Sequence, residues 1–244
     1  CMRYWHPFTE QVVQQVRQFA PDQVVLLPLY PQFSTTTTAS SVAAWQREIG
    51  RLKIPTTLVC CYPEERGFID ASAELVKAEL EAIGGKARVL FSAHGLPEKV
   101  IKAGDPYQEQ VERTAHAVAQ RLGLADWVVC YQSRVGPLKW IGPSTHDEIE
   151  RAGRDRVPVV IYPLAFVSEH SETLVELDIE YRAVAETAGV PDYRRAPTVG
   201  THAAFVNGLA TLARRASSTG GGVIAGGTRC PAAHPRCPCR VATL

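Results

Sequence analysis

Apolar positions along this chain alternate between two patterns. Five short runs are almost wholly apolar: Gln23–Leu29, Pro55–Cys61, Ala87–Phe91, Trp127–Tyr131 and Val157–Tyr162. Runs of that kind are expected of parallel strands buried on both faces. Between them the apolar residues take helical spacing. Val12, Val13, Val16 and Phe19 form a stripe on a helix opened by His6-Pro7-Phe8-Thr9-Glu10. Further helices are predicted from Thr35–Ala39 to about Gly50, from about Ile69 to Ile83 and from Asp105-Pro106 to about Leu122. Three more follow, from Pro143-Ser144-Thr145 to about Ala152, from Glu169 to about Ala188, and over Thr201–Ala216. Gly84-Gly85 closes the third helix. Strand and helix alternate throughout, so parallel α/β layers with right-handed crossovers are expected, in two halves meeting near Gly84–Lys86. Ser217–Gly222 reads as a flexible linker. Val223–Leu244 is too rich in Gly, Pro and Cys to build its own core, and is expected to need a metal to stay ordered.

Composition narrows the function without naming it. The 244 residues are 45% hydrophobic and 21% charged, as in ordinary globular proteins. A net charge of +1 provides no global field for nucleic acid or an anionic membrane. No apolar run reaches the roughly 18 residues that would span a bilayer. Seven cysteines, and a start at Cys1–His6 without an apolar core segment, suggest a reducing, cytoplasmic setting. Clustered cysteines there are more often metal ligands than disulfides. Cys1–Trp5 reads as the end of a strand, so a preceding segment is expected.

The loops after successive strands should lie on one sheet edge, where α/β sheets keep their ligand crevices. They carry Tyr30 and Ser34; His94 within Phe91-Ser92-Ala93-His94-Gly95-Leu96-Pro97; Gln132, Ser133, Arg134 and Trp140; and Phe166, Ser168, Glu169 and His170. Histidines, carboxylates, a cation and aromatics on one edge suit a flat, partly anionic ligand. His94 can take a proton or touch a metal near neutral pH, or it can be a hydrogen-bonded turn residue. Glu169, Glu172, Glu176 and Glu180 are spaced to share one helix face. Such a row is either a solvated face or a set of carboxylates that relays protons or guides a cation.

Cys230, Cys237 and Cys239 have C-x6-C-x-C spacing, unlike the paired knuckles of common zinc ribbons. A fourth ligand would come from Cys60 or Cys61 at a strand end, with His234 a weaker option, whereas Cys130 reads as a core residue. Four thiolates suit zinc or an iron–sulfur cluster.

In their shared order these motifs resemble ferrochelatase, the enzyme family that inserts ferrous iron into a porphyrin. The resemblance runs from Arg3 to about Ala216. It rests on Tyr30-Pro31-Gln32-Phe33-Ser34, Phe91–Pro97, Gly104-Asp105-Pro106-Tyr107, Gln132–Pro137, Trp140-Ile141-Gly142-Pro143 and Phe166–Leu174. It implies a chelatase-like α/β fold of two Rossmann-like, doubly wound parallel-sheet domains: an incomplete first domain over 1–85 and a second over 86–200. A helix at 201–216 would return to the first domain, and 217–244 would be the linker and cysteine tail. It implies His94 as the active-site histidine, assigned to porphyrin proton abstraction or metal binding, and Glu172 as its acidic partner across the cleft, with Fe²⁺ held at His94 and Glu172. Glu169, His170, Glu176 and Glu180 would continue a proton or metal path. Arg3, Tyr4, Tyr30, Ser34, Ser133, Arg134, Trp140 and Phe166 match residues lining the porphyrin and metal pocket. Family members often carry Asp at Glu169 and Lys at Arg134, swaps that keep charge but change reach.

The family begins with a Gly-rich, porphyrin-cradling segment and an apolar lip that meets the membrane. This chain is expected to be a fragment lacking about the first third. Animal-type members place a cluster cysteine where this chain has Thr35. The tail instead resembles the [2Fe-2S] set of some bacterial members, which supports Cys60 or Cys61. The expected activity is insertion of Fe²⁺ into protoporphyrin IX, forming protohaem with release of two protons. The partners would be porphyrin and ferrous iron, without nucleic acid, at the periphery of the inner membrane. The alternatives are a porphyrin-binding fragment without catalysis, or a chelatase for another tetrapyrrole such as coproporphyrin III.

Overall fold

Two parallel sheets organise the computed structural model, which describes residues 1–50, 52–134, 136–228 and 230–240. Val135 of the Gln132–Pro137 motif, and Arg229 and 241–244 of the tail, lie outside the described residues. In chain order the first half contains α1 (Thr9–Phe19), β1 (Val24–Leu26), α2 (Thr38–Ile49), β2 (Thr56–Val59) and α3 (Arg66–Ile83). The second half begins with β3 (Arg88–His94), α4 (Glu98–Lys102), α5 (Tyr107–Leu122), β4 (Trp127–Gln132), α6 (Thr145–Asp155) and β5 (Val159–Pro163). It continues with α7 (Ser171–Leu174), a π-helical segment (Glu176–Glu180), α8 (Tyr181–Ala188), β6 (Tyr193–Arg195), α9 (Ala203–Ser217) and β7 (Gly222–Ile224).

The larger sheet has strand order β4-β3-β5-β6, all parallel. The chain leaves β3 to one side to make β4, then crosses back to make β5. The carboxyl end of β3 is therefore a switch point where crossovers diverge and leave a crevice. Helices cover both faces. Phe91 and Val160 join the core that contains Val111 and Val118 of α5. Leu90 and Ile161 face the other way, with Ile149 of α6 and Ala185 of α8. This alternation is the period-2 signature of a strand buried on both sides. At the α6–α8 contact a Cβ on Gly153 would sit 2.2 Å from the Ala188 carbonyl oxygen, so only glycine allows that approach.

The smaller sheet has order β1-β2-β7. Its Val59 joins Phe205 and Leu212 of α9, while Leu58 packs with Phe33 and Cys60. The largest core is continuous across Gly84–Lys86. Phe68 and Val76 of α3 share it with Val89 and Tyr162, and the Tyr162 hydroxyl donates to Ser72 Oγ at 2.7 Å.

Three expectations are corrected. Residues 1–5 form no strand; Met2 only bridges Phe8. The flexible linker expected over Ser217–Gly222 ends in a strand, because β7 pairs in register with β2, Thr57 to Gly222 and Val59 to Ile224. Gly222, at φ +98°, supplies a backbone shape that other residues rarely adopt. The helix predicted from Glu169 begins at Ser171 and is interrupted by the π-helical segment. His170 caps its start, its Nδ1 accepting from the Glu172 N–H at 3.1 Å.

Candidate active site

β3 ends on His94, still paired in register with Gln132 at the end of β4. Gly95 follows because a Cβ there would lie 3.0 Å from the Gln132 carbonyl and 3.2 Å from the Arg134 side chain. The His94 carbonyl accepts from the buried Tyr107 hydroxyl of α5 at 3.0 Å. Its Nδ1 lies 2.8 Å from Glu172 Oε2, and both side chains stay about two-fifths exposed, at 40% and 38%. That bond, then the attraction of His94 and of nearby His170, and the Ser133 hydroxyl, hold the Glu172 carboxyl below the usual carboxylate value against the opposing effect of burial. In a neutral imidazole, a proton on Nδ1 facing Glu172 would leave Nε2 as the lone pair.

Behind this pair lies a fixed polar frame. Ser92 Oγ donates to Gln132 Oε1 at 2.8 Å, which orients the buried amide. Gln132 Nε2 then donates to the Glu172 carbonyl at 2.8 Å and to Glu176 Oε2 at 3.0 Å. Glu176 also accepts from Ser133 N–H at 2.7 Å, Ser133 Oγ at 2.5 Å and Tyr181 OH at 3.1 Å. Ser133 makes two of these bonds from a left-handed backbone, φ +57°, a strained shape that recurs at functional sites.

A cleft of about 970 Å³ opens here, and His94, Ser133, Arg134, Trp140, Glu172, Glu176 and Glu180 all line it. The carboxylate row survives the change in helix type. In a pure α-helix, residues four apart drift by about 40°. The wider π turn advances less per residue and offsets that drift.

The other residues singled out by sequence are not part of the cleft lining. Glu169 precedes the helix and turns away; its Oε1 accepts from Arg195 at 2.7 Å and from Thr198 N–H at 2.9 Å. It therefore does not extend the row of Glu172, Glu176 and Glu180. Phe166 packs edge-on against His170 at 4.8 Å. Ser34 is buried, with its hydroxyl donating to Asp105 at 3.0 Å. Arg3 lies over the ring of the exposed Tyr4, and Tyr30 is exposed. Sequence reasoning missed three roles: Gln132 as the orienting amide, Tyr181 as a donor to Glu176, and His146 on the cleft wall. Gln132 was legible as a polar residue ending an apolar strand. The other two carry no local signal.

The cysteines gather at the far end of β2. Cys60 Sγ lies 3.1 Å from Cys239 Sγ and 3.2 Å from Cys61 Sγ. The thiols of Cys230 and Cys237 are neighbours, and Cys237 also adjoins Cys239. Contact with Cys239 and Cys61, together with burial, pushes the Cys60 thiol far up; contact with Cys237 and burial raise Cys230. Cys130 stands apart in the core, pushed up to about 12 by burial. Thiols converging from the end of β2 and the tail, all buried except the half-buried Cys239, fit a thiolate-held metal or iron–sulfur group in number and softness. Among the described residues no helix is long and apolar enough to cross a membrane.

Among solved structures the fold is similar to SirB from Bacillus subtilis, solved with Fe³⁺. The TM-score is 0.65 at 14% identity, over 88% of this chain and 79% of that one. It is also similar to DR2241 from Deinococcus radiodurans, described as structurally similar to chelatases, with TM-score 0.54 at 19% identity over 86% and 45%. At those identities the likeness concerns fold alone. In sequence the chain is 56% identical over 245 residues to the ferrochelatase of Caulobacter vibrioides NA1000 / CB15N, covering 98% of this chain and 70% of the relative. It is 50% identical over 218 residues to that of Wolbachia pipientis wMel, covering 87% and 68%. The family model for Ferrochelatase matches residues 1–217, and with these relatives it shows that the chain belongs to the ferrochelatase family.

Proposed function

We propose that this protein inserts Fe²⁺ into protoporphyrin IX, forming protohaem and releasing two protons, the last step of haem biosynthesis. Family membership supports the reaction. The observation that carries the site assignment is the 2.8 Å pair between His94 Nδ1 and Glu172 Oε2 at the switch point, facing the remaining carboxylates.

Metalation requires the macrocycle to give up two pyrrole protons as its four nitrogens take the iron. His94 Nε2 receives a pyrrole proton, and the resulting imidazolium is stabilised by ionised Glu172. Glu176 and Glu180 take protons outward or guide Fe²⁺ inward, with Glu180 at the exposed end of the row. Trp140 offers an aromatic wall and the exposed Arg134 a cation for the porphyrin carboxylates. Arg3, Tyr4, Tyr30 and Phe166 complete the substrate pocket in this reading with Ser34 held behind them by Asp105, and Glu169 and His170 support the path by fixing the helix start. The reading includes a cytoplasmic enzyme at the inner-membrane periphery; the exposed Tyr4 and Trp5 beside Arg3 suit an interface.

For the cysteine site we propose a [2Fe-2S] cluster held by Cys60, Cys230, Cys237 and Cys239. The contact between Cys60 and Cys239 favours Cys60 over Cys61. When bound, such a group supplies four bonds that cross-link β2 to the tail, and a one-electron redox centre. A red-brown visible spectrum separates it from colourless zinc. Cys60→Ser should bleach it and Cys61→Ser should not; the reverse would exchange their roles.

His94→Ala and Glu172→Gln should slow iron insertion about 10²–10⁴-fold, the range of a lost general base, while porphyrin still shifts its Soret band on binding. Insertion is read from the change of the free-base visible bands to those of the metalloporphyrin. Undiminished turnover in either variant would remove that residue from the mechanism.

A further inference from the structure

The cysteine-bearing tail meets the second half of the chain along one face of α5. Glu109 pairs with His234, and Arg113 donates to the Thr228 carbonyl at 3.2 Å. Between them Gln110, fully buried, reaches the cysteines themselves. Its Oε1 accepts from Phe33 N–H at 2.7 Å, and its Nε2 donates to Cys230 Sγ at 3.0 Å. The amide has only one sensible orientation. Flipped, its NH₂ would face the Phe33 N–H, donor against donor, and its oxygen would face sulfur. Three segments remote in sequence, the Tyr30–Ser34 motif, α5 and the tail, therefore meet at one side chain. Nothing in the family's motifs or in the mechanism above uses it.

We propose that Gln110 is a positioning residue of the sulfur site, its N–H···S bond fixing Cys230 and setting the electronic properties of the group the thiolates hold. The proposal rests on the reading of the cysteines as a metal or cluster site. Hydrogen bonds to ligating sulfur draw charge from it and raise the reduction potential of a bound cluster. A purely structural amide would lack this effect, and the protein supplies one for comparison. Gln32 is buried to the same degree at the same interface, and its Nε2 donates to Thr114 Oγ1 at 3.0 Å, without touching sulfur.

The test compares the wild-type protein with Gln110→Met, Gln110→Glu and Gln32→Met, all purified without oxygen. Iron, zinc and acid-labile sulfide are counted, and visible circular dichroism and midpoint potential are recorded. Gln110→Met should shift the visible bands, lower the potential and release iron to a chelator several-fold faster. Gln110→Glu keeps the acceptor for Phe33 N–H and should still shift the bands, so a poorly folding Met variant does not end the test. Gln32→Met should melt earlier with bands and potential unchanged. If the wild type holds zinc, Co²⁺ takes its place and the thiolate-to-cobalt band is read instead. A wild type with metal whose Gln110 variants match it in band position and potential overturns the role of Gln110 and leaves the cysteine site intact. A wild type without metal or sulfide overturns both.

Discussion

The cleft at His94 and the cysteine site at β2 treat their polar groups in opposite ways. In the cleft, Glu176 accepts from four donors and Glu172 from His94, yet His94 and Glu172 remain about two-fifths open. Its carboxylates are held by hydrogen bonds before a substrate arrives, which limits reorganisation during turnover. At the cysteine site Cys60, Cys61, Cys230 and Cys237 are buried, and thiols from β2 and the tail meet one another. Ionising neighbouring thiols there is costly without a cation to share. One region stays open to solvent, and the other packs its thiols away from it. α5 touches both, through Tyr107 to His94 and Gln110 to Cys230.

The largest expected effect is at the proposed cysteine-held group. Cys237→Ser should abolish bound metal and undock the tail, because metal-ligand bonds in such segments supply folding energy directly. Metal analysis and the rate of tail proteolysis measure it; a variant with full metal content would show that Cys237 is not a ligand.

A smaller effect is expected in the cleft. Ser133→Ala removes the hydroxyl's charge-assisted bond to Glu176 and its longer contact with Glu172 at 3.4 Å, and keeps the backbone bond to Glu176. Such bonds are worth about 1.5–3 kcal/mol, so the insertion rate should fall about tenfold or more. Porphyrin affinity should be unchanged, and a change confined to KM would place Ser133 in ground-state binding instead.

The pH dependence of Glu172 sharpens the contrast further. Its carboxyl is depressed from an ordinary value of 4.5, chiefly by the His94 bond. Its stabilisation is complete above that unfolded value and is lost as pH falls through the lower folded one. Melting curves of wild type and Glu172→Gln should therefore differ at neutral pH and converge in acid. A gap that widens below 4.5 would contradict the sign.

The smallest effect concerns the link between the regions. Tyr107→Phe loses one neutral hydrogen bond to the His94 carbonyl and should cost about 0.5–1.5 kcal/mol, seen as a lower Tm. Metal content at the cysteines should not change.

The sequence by itself determined the buried strands and the order in which they alternate with helices. Apolar runs such as Val89–Phe91 and Val159–Tyr162 have no polar face to present to water, so a parallel α/β sheet is their stable arrangement. It also determined that His94 ends a strand and that Glu172, Glu176 and Glu180 share a face, since both follow from local periodicity. Tertiary structure decided what distant groups do to one another. β7 was illegible because three residues around glycine become a strand only when β2 offers its open edge. Glu169 left the carboxylate row because Arg195, on a strand too short to leave a pattern, took its charge. Gln132 became the frame of the cleft only once Ser92 fixed its amide, and Cys60 met Cys239 only after the chain had folded back across 179 positions. Periodicity records which side of an element is apolar; which polar group meets which depends on contacts whose sequence separation leaves no local trace.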